Sequence, residues 1–351
     1  MPAHTDAGRF FEDFQPGETL VHAVPRTVTE GDASLYLALY GVRSAVTSST
    51  PFAQSLGLQR APIDPMLVFH LVFGKTVADI SLNAIANLGY AECRWGAPVY
   101  PGDTLTTTSE VLGVKENRDA QTGVVYVRST GMNQFGDKVL QYARWVMVRK
   151  RNPKSPAPRP VVPTLADHVP VSGLVVPWRG DRTGYDDALA GSTHRWDDYR
   201  QGDRIDHVDG MTIEEADHML ATRLYQNTAK VHFNAMAERA GRFGRRIVYG
   251  GHVISLARHL SFNGLANALG PVAIHGGRHV APCFAGDTVH AWSEVLEATP
   301  LPGRDDLGVL RLRTVATRDR TCGDFPFKGD DGAYDPSVVL DLDYSVAMVR
   351  R

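Results

Sequence analysis

The residues best suited to chemistry lie in the stretch "RLYQNTAKVHFN", residues 223–234. It places Asn227, Lys230 and His232 among apolar side chains, which is more hydrogen-bonding capacity than a core element needs. Imidazole titrates near neutral pH, so His232 can take up and release a proton under ordinary conditions. The carboxamide of Asn227 can hold water or orient a neighbour, but it is not an acid at neutral pH. The stretch predicts a reaction centre, with a buried structural histidine as the alternative.

A second candidate is the tetrapeptide "YGGH", residues 249–252, where an apolar helix is predicted to begin. Free N–H groups at a helix N-terminus stabilise negative charge that develops on an oxygen. Gly250 and Gly251 would let a reacting group approach those N–H groups closely, although a plain glycine turn also explains them. His252 lies in the same turn and is the first candidate for a proton donor, with a solvent-facing histidine as the alternative.

Composition narrows the class of protein. The chain has 351 residues, of which 43% are hydrophobic and 22% charged, and a net charge of -2. These values are typical of a globular protein of roughly two domains and give no sign of a nucleic-acid or anionic-membrane partner. Three cysteines without metal-ligand spacing favour a reducing compartment. With no signal-peptide pattern and no membrane-length apolar run, the expected location is the cytoplasm.

The chain repeats itself. "FEDFQPGETL" (11–20) returns as "WDDYRQGDRI" (196–205), and "RWGAPVYPGDTLTTTSEVL" (94–112) returns as "RHVAPCFAGDTVHAWSEVL" (278–296). Similarity that holds its spacing over such a distance predicts two homologous domains in tandem. We assign residues 1–150 to the first domain, 151–195 to a proline-rich linker and 196–351 to the second domain. The linker is expected to run extended over the surface.

Both repeats predict the same order of elements. A polar lead-in precedes a helix that begins near Thr29 or Glu214, and a long apolar helix follows, within residues 65–80 or 250–269. Strand-like runs such as "GVVYVRST" then alternate with Gly, Asp and Asn turns. This order predicts an α+β fold in which an antiparallel sheet wraps around one buried helix in each half. An insertion at 320–337 is predicted to be a long loop, either a lid or disordered.

These features resemble the MaoC-like, R-specific enoyl-CoA hydratases, in the form of a tandem double hot dog that covers nearly the whole chain. The phrase "YQNTAKVHFN…YGGHV" is most similar to the mesaconyl-CoA hydratases, also called β-methylmalyl-CoA dehydratases. The family's motif G-D-x-N-P-x-H places its histidine on His232 and its aspartate on Asn227. The first repeat has Val42 and Thr47 at these two positions. The resemblance therefore implies that the second repeat is catalytic, while the first serves as scaffold and part of the acyl-CoA pocket.

The resemblance implies a hydro-lyase that adds or removes water across a 2-enoyl-CoA double bond, without a metal or other cofactor. His232 would be the base, and Gly250 and Gly251 would hold the thioester oxygen. Asn227 departs from the family pattern, so either His232 makes both proton transfers or another residue, His252 first, supplies the acid. A carboxylate on the acyl group would need a cation, for which Lys230 and Arg278 are candidates beside surface roles.

Two other functions stay open from the sequence. A thioesterase of the same fold would generally rely on a carboxylate near the central helix, where the second repeat offers histidine and asparagine instead. A non-catalytic acyl-CoA binding protein would have lost the motif from both repeats. The predicted partner is an acyl-CoA thioester in every case, and the chain is expected to be a monomer or homodimer.

Overall fold

The computed structural model describes residues 4–179 and 184–351. Five strands lie in the first half: β1 (Thr19–Thr27), β2 (Ala84–Trp95), β3 (Thr104–Glu116), β4 (Thr122–Met132) and β5 (Lys138–Arg149). Five lie in the second half: β6 (Arg204–Thr212), β7 (Ala268–His279), β8 (Thr288–Pro300), β9 (Leu307–Arg318) and β10 (Val338–Val349). They form one antiparallel sheet in the order β1-β3-β4-β5-β2-β7-β10-β9-β8-β6.

The helices repeat in the same way. The first half contains α1 (Glu30–Tyr40), α2 (Ala45–Ser48), α3 (Thr50–Ser55) and α4 (Pro65–Lys75), and α5 (Asp187–Ala190) follows between the halves. The second half contains α6 (Glu215–Leu224), α7 (Lys230–Phe233), α8 (Ala235–Glu238), α9 (Gly250–Leu260) and α10 (Phe262–Leu265). None of the helices in the described ranges is long and apolar enough to cross a membrane.

The first helix of each half begins where the sequence predicted. Thr29 caps α1: its hydroxyl accepts a hydrogen bond from the Asp32 N–H, and the Asp32 carboxylate accepts one from the Thr29 N–H. This reciprocal pair is a capping box, which satisfies two N–H groups that the helix itself leaves free. The N-cap residue of α6 is Glu214.

The central helices α4 and α9 are buried between the sheet and each other, but each is only 11 residues long. The predicted apolar helices of 65–80 and 250–269 were therefore too long. After α4 the chain passes through a wider turn at Val77–Ser81, and after α9 it leaves helical geometry at Asn263 and Gly264. Gly264 has φ 103°, a left-handed conformation that glycine adopts without strain.

The polar lead-in of each repeat is a strand, which the sequence did not predict. β1 and β6 pair with β3 and β8 and form the two edges of the sheet. An edge strand is covered on one side only, so its sequence carries exposed polar residues, and a bulge interrupts its register. The alternation that identifies a half-buried strand is weak there for that reason.

The linker and the insertion pack more closely than predicted. Trp178 of the linker is buried, and its ring covers the backbone of Gly270; residues 180–183 of the linker lie outside the described ranges. In the insertion at 320–337, Cys322 and the rings of Phe325 and Phe327 cover Trp292, so this segment is ordered; a lid function stays a prediction. The domain boundaries at 150 and 196 stay a prediction.

Candidate active site

His232 lies in α7, a single turn held between two hydrogen bonds. The Asn227 side-chain oxygen accepts a hydrogen bond from the N–H of Ala229, the N-cap residue of α7, at 3.0 Å. His232 Nδ1 lies 3.0 Å from the carbonyl oxygen of Ile247, which can only accept, so Nδ1 carries the proton. The other ring nitrogen, Nε2, is consequently the free lone pair of the neutral imidazole.

The surroundings keep His232 neutral. Its ring meets the ring of Tyr249 edge to face, with 5.6 Å between the centroids. Burial lowers the pKa of His232 to about 4; the hydrogen bond to Ile247 opposes this shift and His218 adds to it. Burial disfavours the imidazolium because the charged form loses its hydration. At neutral pH the side chain is therefore ready to accept a proton.

The corresponding turn of the first half has no such group. α2 occupies the position of α7, and Thr47 stands where α7 has His232. The Thr47 hydroxyl donates only a long hydrogen bond of 3.4 Å to the Ser44 carbonyl. A hydroxyl is not a base at neutral pH, so only the second half can carry proton transfer at this position.

The two central helices differ at their N-termini. α4 is capped by Asp64, whose carboxylate accepts from the Met66 N–H at 2.8 Å, and Pro65 at its first position has no N–H. No side chain in the described part of the protein caps α9, which starts with Gly250 and Gly251. The N–H groups at the start of α9 thus point out of the helix without a side-chain partner, beside His232. They can stabilise negative charge on an oxygen.

Packing accounts for both glycines. A Cβ atom on Gly250 would lie 2.5–2.7 Å from three ring atoms of His279. A Cβ atom on Gly251 would lie 2.6 Å from His70 and would also overlap the Tyr249 ring. Both positions, where glycine was predicted to admit a thioester, therefore need glycine already because the neighbouring rings leave no room for a Cβ atom.

His279 is a residue of the site that the sequence did not single out. Its Nε2 lies 3.4 Å from the Tyr90 hydroxyl of the first half, a long hydrogen bond. Burial, together with a smaller contribution from nearby His232, lowers the pKa of His279 to about 4. The repeat held a usable signal, because Arg94 aligns with Arg278 and Trp95 therefore with His279. Tyr90 had no such signal, since it reaches the site only through the pairing of β2 with β7.

His252 does not suit the role of proton donor for which it was the first candidate. Its Nδ1 is hydrogen-bonded at 2.7 Å to the hydroxyl of Tyr40, which also contacts the Tyr225 hydroxyl at 2.5 Å. Burial lowers the pKa of His252 to about 3, and His218 adds to the shift. A neutral imidazole is a poor proton donor at neutral pH, so this environment disfavours the role, and His252 as the acid stays a prediction. The side chain instead connects helices of both halves.

The two cations proposed for a substrate carboxylate lie on the surface. Lys230 and Arg278 are both exposed. The guanidinium of Arg278 lies 5.8 Å from the ring centroid of Tyr334, in the insertion. Neither side chain is enclosed with His232, and the prediction that they bind a carboxylate inside the site is not favoured by this placement.

Comparison with known proteins identifies the family to which this chain belongs. A family model described as mesaconyl-CoA hydratase matches residues 3–324. The chain is 67% identical to a β-methylmalyl-CoA dehydratase of Chloroflexus aurantiacus over the full length of both. It is 60% identical to a mesaconyl-CoA hydratase of Cereibacter sphaeroides over 99% of each chain. The chain belongs to the mesaconyl-CoA hydratase family.

Solved structures agree with the family. A MaoC domain protein dehydratase from Chloroflexus aurantiacus superposes with a TM-score of 0.98 at 66% identity, over 100% of each chain. A Mycobacterium tuberculosis protein described as having a double hotdog fold superposes with a TM-score of 0.76 over 98% of this chain and 99% of its own, at 24% identity, which supports the fold alone. The predicted double hot dog is confirmed. As a member of the mesaconyl-CoA hydratase family, the chain is an acyl-CoA hydratase/dehydratase, a hydro-lyase, as the resemblance implied.

Proposed function

We propose that this protein adds water to mesaconyl-CoA to give β-methylmalyl-CoA, catalyses the reverse dehydration, and uses His232 as the base. The observation that carries the assignment is the fixed tautomer of His232, which leaves Nε2 free, in a ring that contacts Tyr249, the N-cap residue of the uncapped helix α9. The substrate itself is taken from the relatives that share 67% and 60% of their residues with this chain. The proposed chemistry has two steps.

In the first step, water held at His232 Nε2 attacks the β-carbon of the enoyl thioester. The new C–O bond forms as Nε2 takes a proton from the water. The electrons of the C=C bond move to the thioester oxygen, and the N–H groups of Gly250 and Gly251 stabilise the resulting enolate. The free amide N–H groups of Asn227 hold the oxygen of the attacking water, because its side-chain oxygen is engaged by Ala229.

In the last step, the proton on His232 passes to the α-carbon and the thioester carbonyl re-forms. A single base therefore makes both proton transfers, which removes the need for an acid at Asn227. Imidazolium with a pKa of about 4 is a strong enough acid to release its proton readily. His279 lies against Gly250 and positions the start of α9, so it acts on the enolate site rather than on the water.

We propose the basic loop, residues 239–246, which joins α8 to α9, as the binding position of the CoA phosphates. The loop ends beside the site, because the Ile247 N–H donates to the Val231 carbonyl. Arg245 lies 3.8 Å from the ring centroid of Phe284, and Arg246 is paired with Glu215. The exposed guanidinium group of Arg245 suits phosphate oxygens, whereas the Arg246 side chain is mostly buried. All three cysteines are unpaired and buried, in keeping with the cytoplasmic location that belongs to this proposal.

The test is incubation of the purified protein with mesaconyl-CoA, following enoyl-thioester absorbance and free thiol together. Loss of absorbance without thiol is expected for the wild type, whereas release of thiol would instead indicate a thioesterase. His232→Ala should lose about 100-fold or more of kcat because the base is gone. Thr47→Ala, at the equivalent position of the first half, is the matched control and should keep wild-type turnover. Equal activity of His232→Ala and the wild type would overturn the assignment of the base.

A further inference from the structure

A buried arginine of the first half has no carboxylate partner. Arg144 on β5 is 1% exposed, and one of its terminal nitrogens donates to the hydroxyls of Thr76 at 2.8 Å and Ser81 at 3.3 Å. It forms no ion pair with an Asp or Glu of the described residues, and its Nε–H has no hydrogen-bond partner there. A buried charge without a counter-charge destabilises the fold by several kcal/mol, so its retention needs a reason.

The side chains around Arg144 connect it to the active site. Its guanidinium carbon lies 4.3 Å from the ring centroid of Phe73, and the Phe73 ring lies 5.6 Å from that of Tyr249. Tyr249 in turn contacts His232. The hydroxyl of Tyr249 is also buried without a hydrogen-bond partner among the described residues. Two donors without a partner among the described residues thus belong to side chains that pack on the same Phe73 ring, and one of these side chains, Tyr249, contacts the catalytic histidine.

The fold itself does not require a cation at this position. Arg144 is paired with Tyr90 on β2 and Val127 on β4. At the equivalent place in the second half, Tyr344 is paired with Ile274 on β7 and Leu312 on β9. A neutral residue therefore serves the same sheet position in the other half, as expected if the charge of Arg144 has a role in binding.

We propose that Arg144 and the Tyr249 hydroxyl bind the free carboxylate of the acyl group and select dicarboxylic acyl-CoA substrates. The inference rests on the proposed function, because the acyl group of mesaconyl-CoA carries a carboxylate on its β-carbon, at the end opposite the thioester. In this proposal the thioester oxygen lies at the start of α9, and the carboxylate extends past Tyr249, the N-cap residue of α9, on the side of the Phe73 ring that Tyr249 contacts. A carboxylate supplies the acceptors that the guanidinium and the hydroxyl lack, and Arg binds it in a planar, bidentate geometry.

The experiment compares binding of two saturated thioesters that differ only at this end. Succinyl-CoA has the carboxylate and butyryl-CoA has a methyl group in its place, so neither is hydrated and calorimetry reports binding alone. Arg144→Gln should weaken binding of succinyl-CoA on the order of 100-fold and change that of butyryl-CoA no more than about twofold. Arg144→Lys should recover part of the loss, and Tyr249→Phe should show a smaller but equally selective loss.

Lys75 is the matched control, since it is a buried cation of the same half whose Nζ donates to the Val24 carbonyl. Lys75→Met should leave the ratio of the two dissociation constants unchanged. Two results would overturn the proposal. One is a selective loss of affinity for succinyl-CoA in Lys75→Met with no such loss in Arg144→Gln or Tyr249→Phe. The other is an equal loss of affinity for both thioesters in the Arg144 and Tyr249 variants. Absence of mesaconyl-CoA turnover in the wild type would contradict the proposed function while the binding comparison still decides the role of Arg144.

Discussion

His232 shows how one hydrogen bond and the loss of water determine what an imidazole does. The Ile247 carbonyl selects the tautomer, and burial against Tyr249 lowers the pKa to about 4. A lower pKa makes the neutral form a weaker base but keeps it fully populated, and it makes the imidazolium a better acid. Both consequences suit a residue that takes a proton from water and gives it up within the same turnover.

The pH dependence of turnover follows from this shift. A base acts in its neutral form, and the lowered pKa keeps His232 neutral as pH falls through the usual histidine range. We expect kcat/KM for mesaconyl-CoA to stay constant from about pH 8 down to about pH 5.5, whereas an unshifted histidine would halve it near 6.5. Enzyme kept at pH 7 and diluted into each buffer for a brief initial-rate assay gives the measurement. An inflection near 6.5 would contradict the assigned environment.

At the scale of the elements, the repeat predicted much of the architecture and part of the site. It predicted where α1 and α6 begin and where β3, β4 and β5 lie. It also identified the two equivalent positions at which the second half has His232 and the first half has Thr47. It did not predict the edge strands β1 and β6, whose exposed side chains weaken the alternation. Arg144 and Tyr90 could not be predicted either, because they approach the second half only through packing and strand pairing across the sheet.

The start of α9 is the element whose geometry the reaction depends on most. In Gly250→Ala the new methyl group would overlap His279, so either the ring or the first turn of α9 must move. We expect kcat to fall by about 10-fold to 1000-fold, as when a donor to a developing oxyanion is displaced, with a smaller change in KM. Steady-state kinetics with mesaconyl-CoA provides the measurement.

Gly276→Ala is the control for this substitution, because a Cβ atom there meets nothing within 4 Å. It should have wild-type kinetics. If the loss in Gly250→Ala comes from the overlap, the variant should also be less stable in urea, and His279→Ala added to it should restore that stability. Wild-type kcat in Gly250→Ala would show that the first turn of α9 does not hold the enolate.

The two halves form one molecule through β2 and β7 and through a shared core. Tyr40 of α1 reaches His252 of α9, while His70 of α4 and Tyr36 of α1 both contact the hydroxyl of Ser255. These polar groups are buried across the boundary between the halves and form hydrogen bonds with one another, although His70 Nδ1 has no partner among the described residues. Such a network holds the central helices in one register, at the cost of placing titratable groups away from water.

That burial predicts an acid-sensitive fold. Nine histidines of the described residues have pKa values lowered mainly by burial: His22, His70, His207, His218, His232, His252, His259, His275 and His279. Below about pH 6.5 these histidines are protonated in the unfolded chain but not in the folded chain. The unfolded state therefore binds more protons, and the free energy of unfolding decreases as the pH decreases. In that pH range each such histidine lowers the free energy of unfolding by about 1.4 kcal/mol for every unit by which the pH decreases. A few of them are therefore enough to remove a typical folding free energy.

The expected outcome is a free energy of unfolding that is constant from about pH 8 to about pH 7 and falls steeply below about pH 6, measured by urea titration at each pH. His275→Asn removes one of these nine titrating groups and should make the slope shallower by about 1.4 kcal/mol per pH unit. His194→Asn is the matched control, because it removes a histidine whose side chain is 70% exposed rather than buried, and it should change the slope less than His275→Asn does. A stability that does not change between pH 7 and pH 5 would mean that these histidines are protonated in the folded protein, and the neutral state assigned to His252 would then be wrong.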